Sequence, residues 1–239
     1  MSKNWQTFWN SYRNDEARSE ADLFVQVGKT IDGQPISKTM FDKMVDTIGR
    51  QLDLQPDDYL LDLCCGNGLL SYELATQVDH ITAVDFAERM IATARRFKTR
   101  ANVAYKVGNA TSQLPSLVEN DLRPTKLLIN DSLAYFEPPE LDRILGNMTN
   151  YMDGQAFSFL FTGIPDHTRK WNFYDTPARR RRHAQNESDP DNTNEGMGRW
   201  WRASEIETIC RARNLHAEIT EQSPDISHYR FDVLISHGR

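Results

Sequence analysis

The 239 residues of the chain suit one large domain, or one domain with an insertion. The formal net charge of −6 disfavours a nucleic-acid partner, because contacts with phosphates need a basic surface. No apolar run approaches the length of a membrane-spanning helix, and the first residues contain no apolar signal-peptide core. We therefore expect a cytoplasmic protein with neither a nucleic-acid nor a membrane partner.

The three cysteines, Cys64, Cys65 and Cys210, predict reduced thiols rather than a disulfide or a metal site. Cys64 and Cys65 are adjacent, and adjacent cysteines rarely have the geometry of a disulfide. The spacing typical of metal ligands is missing from the sequence, so we expect no bound metal. Reduced thiols are also typical of cytoplasmic proteins.

The first segment, residues 1–58, is predicted to form a helical cap that covers a substrate. Trp5, Phe8, Trp9 and Tyr12 recur at helical spacing and therefore share one helix face. A loop with glycine breakers follows, and a longer amphipathic helix comes after it. We expect Trp9 and Tyr12 to contact the substrate. The alternative is that this aromatic face packs on the back of the sheet for stability alone.

From residue 59 to 239, the pattern indicates one domain of strands alternating with helices. Such alternation predicts βαβ units and a Rossmann-like, doubly wound, mostly parallel sheet. Two final strands without a helix between them predict seven strands in all, with an antiparallel C-terminal edge strand. The first five predicted strands are Tyr59–Leu63, His80–Val84, Val103–Val107, Lys126–Asn130 and Ala156–Thr162.

A polar stretch, residues 165–198, interrupts this alternation. It has no clear period, and so long an irregular stretch within a compact domain is usually a functional lid. It begins at the carboxyl end of the fifth strand, where doubly wound sheets bind ligands. Its arginines suit a phosphate or carboxylate, although a solvated surface offset by nearby acidic residues is an equal alternative. The predicted substrate contacts in this lid are Trp171, Tyr174, Arg180 and Arg181.

The segment Leu60–Gly68, of sequence LLDLCCGNG, is the sharpest signal for a ligand. A strand runs into Gly66 and Gly68 and a helix follows, so that backbone and helix N-terminus approach a ligand closely. The second strand ends in Asp85, whose carboxylate can accept hydrogen bonds from a ribose hydroxyl pair. This arrangement fits an adenosyl or a nicotinamide cofactor, although Ser71 replaces the third glycine or alanine of nicotinamide enzymes.

These residues resemble motifs I and II of the class I S-adenosylmethionine-dependent methyltransferases. The segments VDFAERMIATARR, VGNA and INDSLAYF, which begin at Val84, Val107 and Ile129, resemble further segments of that family. The flanking regions are similar to small-molecule methyltransferases of bacterial polysaccharide and secondary-metabolite pathways. Ala87 and Asn109 depart from the family pattern, which has a helix-capping serine and an adenine-binding aspartate at these positions.

The resemblance implies a methyltransferase that uses S-adenosylmethionine and a small-molecule acceptor, such as an anionic sugar or metabolite. It implies that Asp85 holds the ribose, Asn109 reads the adenine edge, and the carbonyl of Asn130 meets the methionine ammonium. A base is needed only for a hydroxyl or charged-amine acceptor, and the candidates are Tyr135, His167, His183 and His228, of which Tyr135 and His167 are the predicted catalytic residues. The implied cofactor-binding residues are Asp62, Cys64, Gly66, Gly68, Asp85, Phe86, Met90, Asn109, Ala110 and Asn130.

Alternatives stay open for the whole chain and for single residues. The chain is also compatible with a nicotinamide-dependent oxidoreductase, or with a non-catalytic partner subunit of the same fold. Phe86 and Met90 have a plainer interpretation as core, Tyr135 as packing, and His167 as a solvated side chain. A homodimer is compatible with the sequence, which does not identify the acceptor atom.

Overall fold

The structure is a computed structural model and describes residues 5–12, 17, 19–112, 116–118, 123–187 and 197–237. Helices and a small hairpin precede the main sheet. In chain order they are α1 (Trp5–Ser11), α2 (Glu20–Gln26), β1 (Thr30–Ile31), β2 (Gln34–Pro35) and α3 (Lys38–Leu52).

The described residues form a seven-stranded sheet whose strands mostly alternate with helices. The helices are α4 (Leu69–Leu74), α5 (Glu88–Phe97), α6 (Pro138–Met152), α7 (Lys170–Phe173), α8 (Pro177–Glu187) and α9 (Ala203–Ala212). The strands are β3 (Tyr59–Leu63), β4 (His80–Asp85), β5 (Val103–Val107), β6 (Lys126–Asn130), β7 (Phe157–Pro165), β8 (His216–Glu221) and β9 (Arg230–His237). Within the described part of the chain, no helix is both long and apolar enough to cross a membrane.

The order across the sheet is β5-β4-β3-β6-β7-β9-β8. The strands from β5 to β7 are parallel, and β9 is antiparallel to both of its neighbours. This confirms the mostly parallel, doubly wound sheet, with the antiparallel strand one place inside the edge strand β8. The chain winds outward from β3 in one direction and from β6 in the other. Ligands of doubly wound sheets bind at this reversal, beyond the carboxyl ends of the strands.

Two apolar layers cover the two faces of the sheet. Leu61 and Leu63 lie in the layer that includes α6 and α9, whereas Leu60 lies in the layer that includes α3, α4 and α5. Successive side chains of a strand point to opposite faces, so neighbouring leucines of β3 serve different layers. This burial on both sides explains why every residue of the strand except one aspartate is apolar.

The lid is more ordered than the sequence indicated, because α7 and α8 lie within it. Strand β7 also continues past the predicted end at Thr162 as far as Pro165. Helix α8 begins at Pro177, whose fixed φ suits the first turn of a helix. The rest of α8 is mostly polar, so it has no apolar stripe by which a helix is recognised. The prediction of an irregular lid is wrong for these two helices, and residues 188–196 lie outside the described residues.

Helix α2 joins the N-terminal segment to the turn that follows β3. Leu23 and Phe24 are buried, and the rings of Phe24 and Phe41 lie 5.1 Å apart. The side-chain amide of buried Asn67, in the turn, donates to the Leu23 carbonyl and to Oε1 of Gln26, both at 2.9 Å. Helix α2 is therefore part of the apolar layer that supports the turn.

Asp62 lies on β3 inside this layered core and is almost completely buried. Its Oδ2 accepts a hydrogen bond of 2.6 Å from Oγ of Ser71 on α4. Burial raises the pKa of Asp62 from 3.8 to about 7, and the Ser71 bond acts in the opposite direction. The pair ties β3 to α4 directly behind the turn.

The substitution Asp62→Asn should make stability less dependent on pH. Between about pH 4 and pH 7 the folded protein keeps the Asp62 proton that the unfolded chain releases, so wild-type stability falls as pH rises. The advantage of the variant in unfolding free energy should therefore grow with pH, by up to about 4 kcal/mol at about 1.4 kcal/mol per pKa unit. Urea unfolding from pH 4 to pH 8 measures this, with Asp79→Asn as an exposed control for the lost charge. A constant difference across the series would contradict the raised pKa.

Candidate functional site

The turn after β3 has a backbone conformation that favours glycine. Gly66 and Gly68 have φ angles of +56° and +75°, and Cys64 has a φ of +63°. A Cβ atom on Gly68 would lie 2.6 Å from the hydroxyl oxygen of Tyr105, and one on Gly66 would lie 2.9 Å from Cγ1 of Val27. Both positions thus require glycine, because φ is positive and because a Cβ atom would lie too close to a neighbouring side chain. Cys64 accepts the left-handed conformation at a cost of about 1–2 kcal/mol.

Asp85, at the end of β4, holds this turn from the side. Its two carboxylate oxygens accept hydrogen bonds from the backbone amides of Gly66 at 2.9 Å and Ala87 at 2.8 Å. Burial raises the pKa of Asp85, and the two amide bonds act in the opposite direction. Each carboxylate oxygen keeps a lone pair that can accept a ribose hydroxyl.

A cavity of about 1280 Å³ opens beside this turn, at the carboxyl ends of the strands. Pockets for one small ligand usually measure about 300–1,000 Å³, so this cavity has room for a cofactor and a second molecule. Its walls come from α1, the β1–β2 hairpin, the turn after β3, the ends of β4 and β6, α8, and residues 224–230. The N-terminal segment and the lid therefore meet over the strand ends.

Most of the predicted cofactor-binding residues line this cavity. Those lining it are Cys64, Gly66, Asp85, Phe86, Met90, Asn109, Ala110 and Asn130. Asp62 and Gly68 do not line it, because Asp62 is buried against Ser71 and Gly68 is covered by Tyr105. They shape the turn from behind. Burial raises the thiol pKa of Cys64 well above its ordinary value. The thiol therefore stays protonated and forms part of the cavity wall, and it is not a nucleophile.

Two asparagines of the cavity wall make local hydrogen bonds. Oδ1 of Asn109 accepts hydrogen bonds from the backbone nitrogen and Oγ1 of Thr111, at 2.9 and 2.8 Å. The adenine contact expected of Asn109 stays a prediction, and it requires this oxygen to exchange one of these bonds. The backbone carbonyl of Asn130 accepts from Oγ of Ser132 at 3.0 Å and keeps one lone pair for an ammonium group.

Of the two predicted catalytic residues, Tyr135 lines the cavity and His167 does not. The Tyr135 ring centroid lies 4.8 Å from that of Trp5 and 5.3 Å from that of Trp9. Burial raises the pKa of Tyr135 above its ordinary value of 10.0, so its phenol is neutral at physiological pH, and its catalytic role stays a prediction. His167 is exposed because β7 continues to Pro165 and the next residues turn away along the surface.

Some of the predicted substrate contacts line the cavity and others do not. Trp9 and Tyr12 line the cavity, as do Arg179 and Arg182 of α8. Residues three apart share a helix face, so these two arginines point one way and the two between them point elsewhere. Tyr174 is buried within the lid, where its ring stacks on another lid side chain. The predicted contacts that do not line the cavity are Trp171, Tyr174, Arg180 and Arg181.

An ion cluster that the sequence did not reveal lies at the end of β6. Asp131 has a φ of +52°, and its carboxylate contacts Nζ of Lys29 and, at 2.7 Å, a terminal nitrogen of Arg230. Burial alone would raise the pKa of Asp131, but the two cations hold it below its ordinary value. All three side chains line the cavity. No local motif joins them, because Asp131 and Arg230 are 99 residues apart.

A bulge in β7 makes the room for Asp131. The register between β7 and β9 shifts between Phe161 and Ile164, and Gly163 there has a φ of +69°. A Cβ on Gly163 would lie 1.8 Å from Oδ1 of Asp131. The Gly163 amide donates to Oδ1 of buried Asp232 at 2.9 Å, which holds the bulge open.

Comparisons with known proteins agree with this geometry. Residues 60–153 match a family model described as "Methyltransferase domain". A demethylmenaquinone methyltransferase of Leptospira interrogans is 44% identical over 59 residues, which are 22% of this chain and 24% of that protein. The 23S rRNA (uracil(1939)-C(5))-methyltransferase of Aliivibrio salmonicida is 30% identical over 114 residues, which are 46% of this chain and 24% of that protein. The chain thus spans about a quarter of the length of the curated relatives it matches.

The similarity of the fold to solved methyltransferase structures extends beyond residues 60–153. The solved structure of magnesium protoporphyrin IX methyltransferase from Synechocystis PCC 6803, with bound SAH, covers 98% of this chain and 92% of that chain. The TM-score is 0.58 and the sequence identity 12%, so this likeness concerns the fold. Residues 60–153 therefore resemble a methyltransferase domain in sequence, and the sheet from β3 to β9 has the fold of solved S-adenosylmethionine-dependent methyltransferase structures.

Proposed function

We propose that the chain transfers the methyl group of S-adenosylmethionine to a small-molecule acceptor. The observation that carries the proposal is a cavity lined both by predicted cofactor-binding residues and by aromatic and ionic side chains. S-adenosylmethionine supplies a methyl group already activated by a sulfonium, so the protein has to align the acceptor and exclude water.

At the cofactor end, the chain offers a partner for each part of an adenosyl ligand. The turn around Gly66 admits the methionine and ribose, and Asp85 accepts the ribose hydroxyls. Next to Asn130, the ammonium of Lys29 is placed to pair with the carboxylate of the methionine group, and the carboxylate of Asp131 is placed to pair with its ammonium. These assignments are part of the proposal.

At the acceptor end, two contacts hold a cover over the cavity. A terminal nitrogen of Arg89 on α5 donates to the carbonyl of Tyr12 at 2.6 Å, which anchors the end of α1. A terminal nitrogen of Arg179 on α8 lies 2.8 Å from Oδ1 of Asp32 in the β1–β2 hairpin. A covered chamber favours a small acceptor. The net charge of −6 disfavours RNA, although the names of several relatives record RNA substrates.

Where the acceptor atom must lose a proton, His228 takes the role expected of His167. It lines the cavity, and its Nε2 lies 3.0 Å from the carbonyl oxygen of Asn172. The tautomer that donates this bond leaves Nδ1 as an acceptor and therefore as a base.

Calorimetry with S-adenosylmethionine, S-adenosylhomocysteine and NADH tests the cofactor. The two adenosyl ligands should bind far more tightly than NADH, and Asp85→Ala should weaken both by about 1–3 kcal/mol, the cost of lost buried hydrogen bonds. Asp79→Asn is the exposed control, and the melting temperature of each variant shows whether the turn is intact. Tighter binding of NADH would point instead to an oxidoreductase. Tight adenosyl binding without transfer to any small acceptor would favour a partner subunit.

Removal of residues 1–12 tests the cover. We expect methyl transfer to fall by about tenfold or more as water enters, with the affinity for S-adenosylhomocysteine nearly unchanged. A cut at residue 30 is not a clean test, because it also removes Leu23 and Phe24 from the core. Trp171→Ala, an exposed aromatic outside the cavity, is the matched control. Full turnover by the shortened chain would show that α1 does not cover the site.

A further inference from the structure

We infer that the acceptor carries a carboxylate and that Arg230 binds this group. The inference rests on the proposed function and names the substrate class of the same cavity. What carries it is a guanidinium with unused donors beside the ends of β6 and β7, where the methyl group would be transferred.

Arg230 opens β9 and has most of its side chain buried, with 24% exposed. One terminal nitrogen donates to Oδ1 of Asp131 at 2.7 Å. Its Nε is buried and has no hydrogen-bond partner among the residues that the structure describes. A guanidinium has five N–H donors, and a buried donor left unpaired costs about 1–3 kcal/mol. Because Nε has almost no exposed surface, the donors that Arg230 can offer a ligand in the cavity are the N–H groups of its terminal nitrogens that bind neither Asp131 nor Tyr229.

The other cations of the cavity wall are less suited to this task. Arg179 already contacts two carboxylates, Asp32 at 2.8 Å and Asp175 at 3.0 Å, and so joins α8 to the hairpin. Lys29 is paired with Asp131 and faces the methionine end of the proposed cofactor site. Arg182 is exposed on α8, where water and salt weaken an ion pair.

The charge of the cluster favours one negative group. Lys29 and Arg230 contribute two positive charges and Asp131 one negative charge, which leaves an excess of one. In a largely buried site such charges interact more strongly than in water. A carboxylate, with a single charge, matches this excess and fits the planar fork of an arginine.

Aromatic rings around Arg230 indicate the shape of the acceptor body. Cζ of Arg230 lies 5.2 Å from the ring centroid of Tyr229, and the ring of Phe173 lies 4.9 Å from that of Tyr229. Tyr135 lines the same part of the cavity. Flat rings of this kind suit a planar apolar body, so aryl carboxylates are the natural probes. The anion-binding role expected of Arg180 and Arg181 thus passes to Arg230.

The test compares benzoate with benzamide, which has nearly the same shape and no charge, on protein saturated with S-adenosylhomocysteine. Titration followed by calorimetry should show benzoate binding about tenfold more tightly or better, the effect expected of a charged hydrogen-bonded pair. Arg230→Gln should remove this preference, and because Arg230 contacts Asp131 the comparison is made with each variant saturated with S-adenosylhomocysteine at its own measured affinity. Arg230→Lys, which keeps the charge but loses the fork, should retain part of the preference. Arg211→Gln, at an exposed position on α9, is the matched control and should keep all of it.

Three results would overturn the inference while the proposed function stands. They are equal binding of benzoate and benzamide, a preference that survives Arg230→Gln, and a stronger preference for phenyl phosphate than for benzoate. Failure of S-adenosylhomocysteine to bind is seen in the preceding titration, and it would overturn the proposed function together with the inference.

Discussion

The carboxylate of Asp85 is the contact on which the site depends. One oxygen holds the amide of Gly66 and the other holds the amide of Ala87, so a single side chain fixes the βα turns after two adjacent strands. Both turns line the cavity through Gly66 and through Phe86. Without this anchor, the left-handed backbone at Gly66 would lose the bond that sets its position, and the two turns would be free to separate.

A second constraint links this turn to the N-terminal segment. Asn67, between the two glycines, donates to the carbonyl of Leu23 and to the side chain of Gln26. Val27 closes on the same turn, where it occupies the space that a Cβ on Gly66 would need. The cover of the cavity and the floor of the cofactor site are therefore one packed unit. Movement of α2 would be transmitted directly to the backbone that faces the ligand.

The cofactor half was predictable because its signals are local. Gly66, Gly68 and Asp85 belong to short segments in which strand, turn and helix follow one another, and their spacing carries the geometry. Asp131 and Arg230 meet only after the sheet has formed, 99 residues apart in sequence, so no local pattern predicts their contact. The prediction of the lid contacts was wrong for another reason. The polar helix α8 has no apolar stripe that shows which of its arginines face inward, and only the packing shows that Arg179 and Arg182 line the cavity.

Strand β9, which places Arg230, is the last strand of the sheet to leave the ribosome, yet it lies between β7 and β8. Strand β8 pairs only with β9 in the described sheet, so it has no partner of its own until β9 emerges. Until β9 is synthesised, one edge of β7 is therefore unpaired, and an unpaired strand edge can pair with other chains. The ion cluster is completed in the same event that closes this edge. A nascent chain therefore gains the arginine of its ion cluster and the protection of this edge from the same strand.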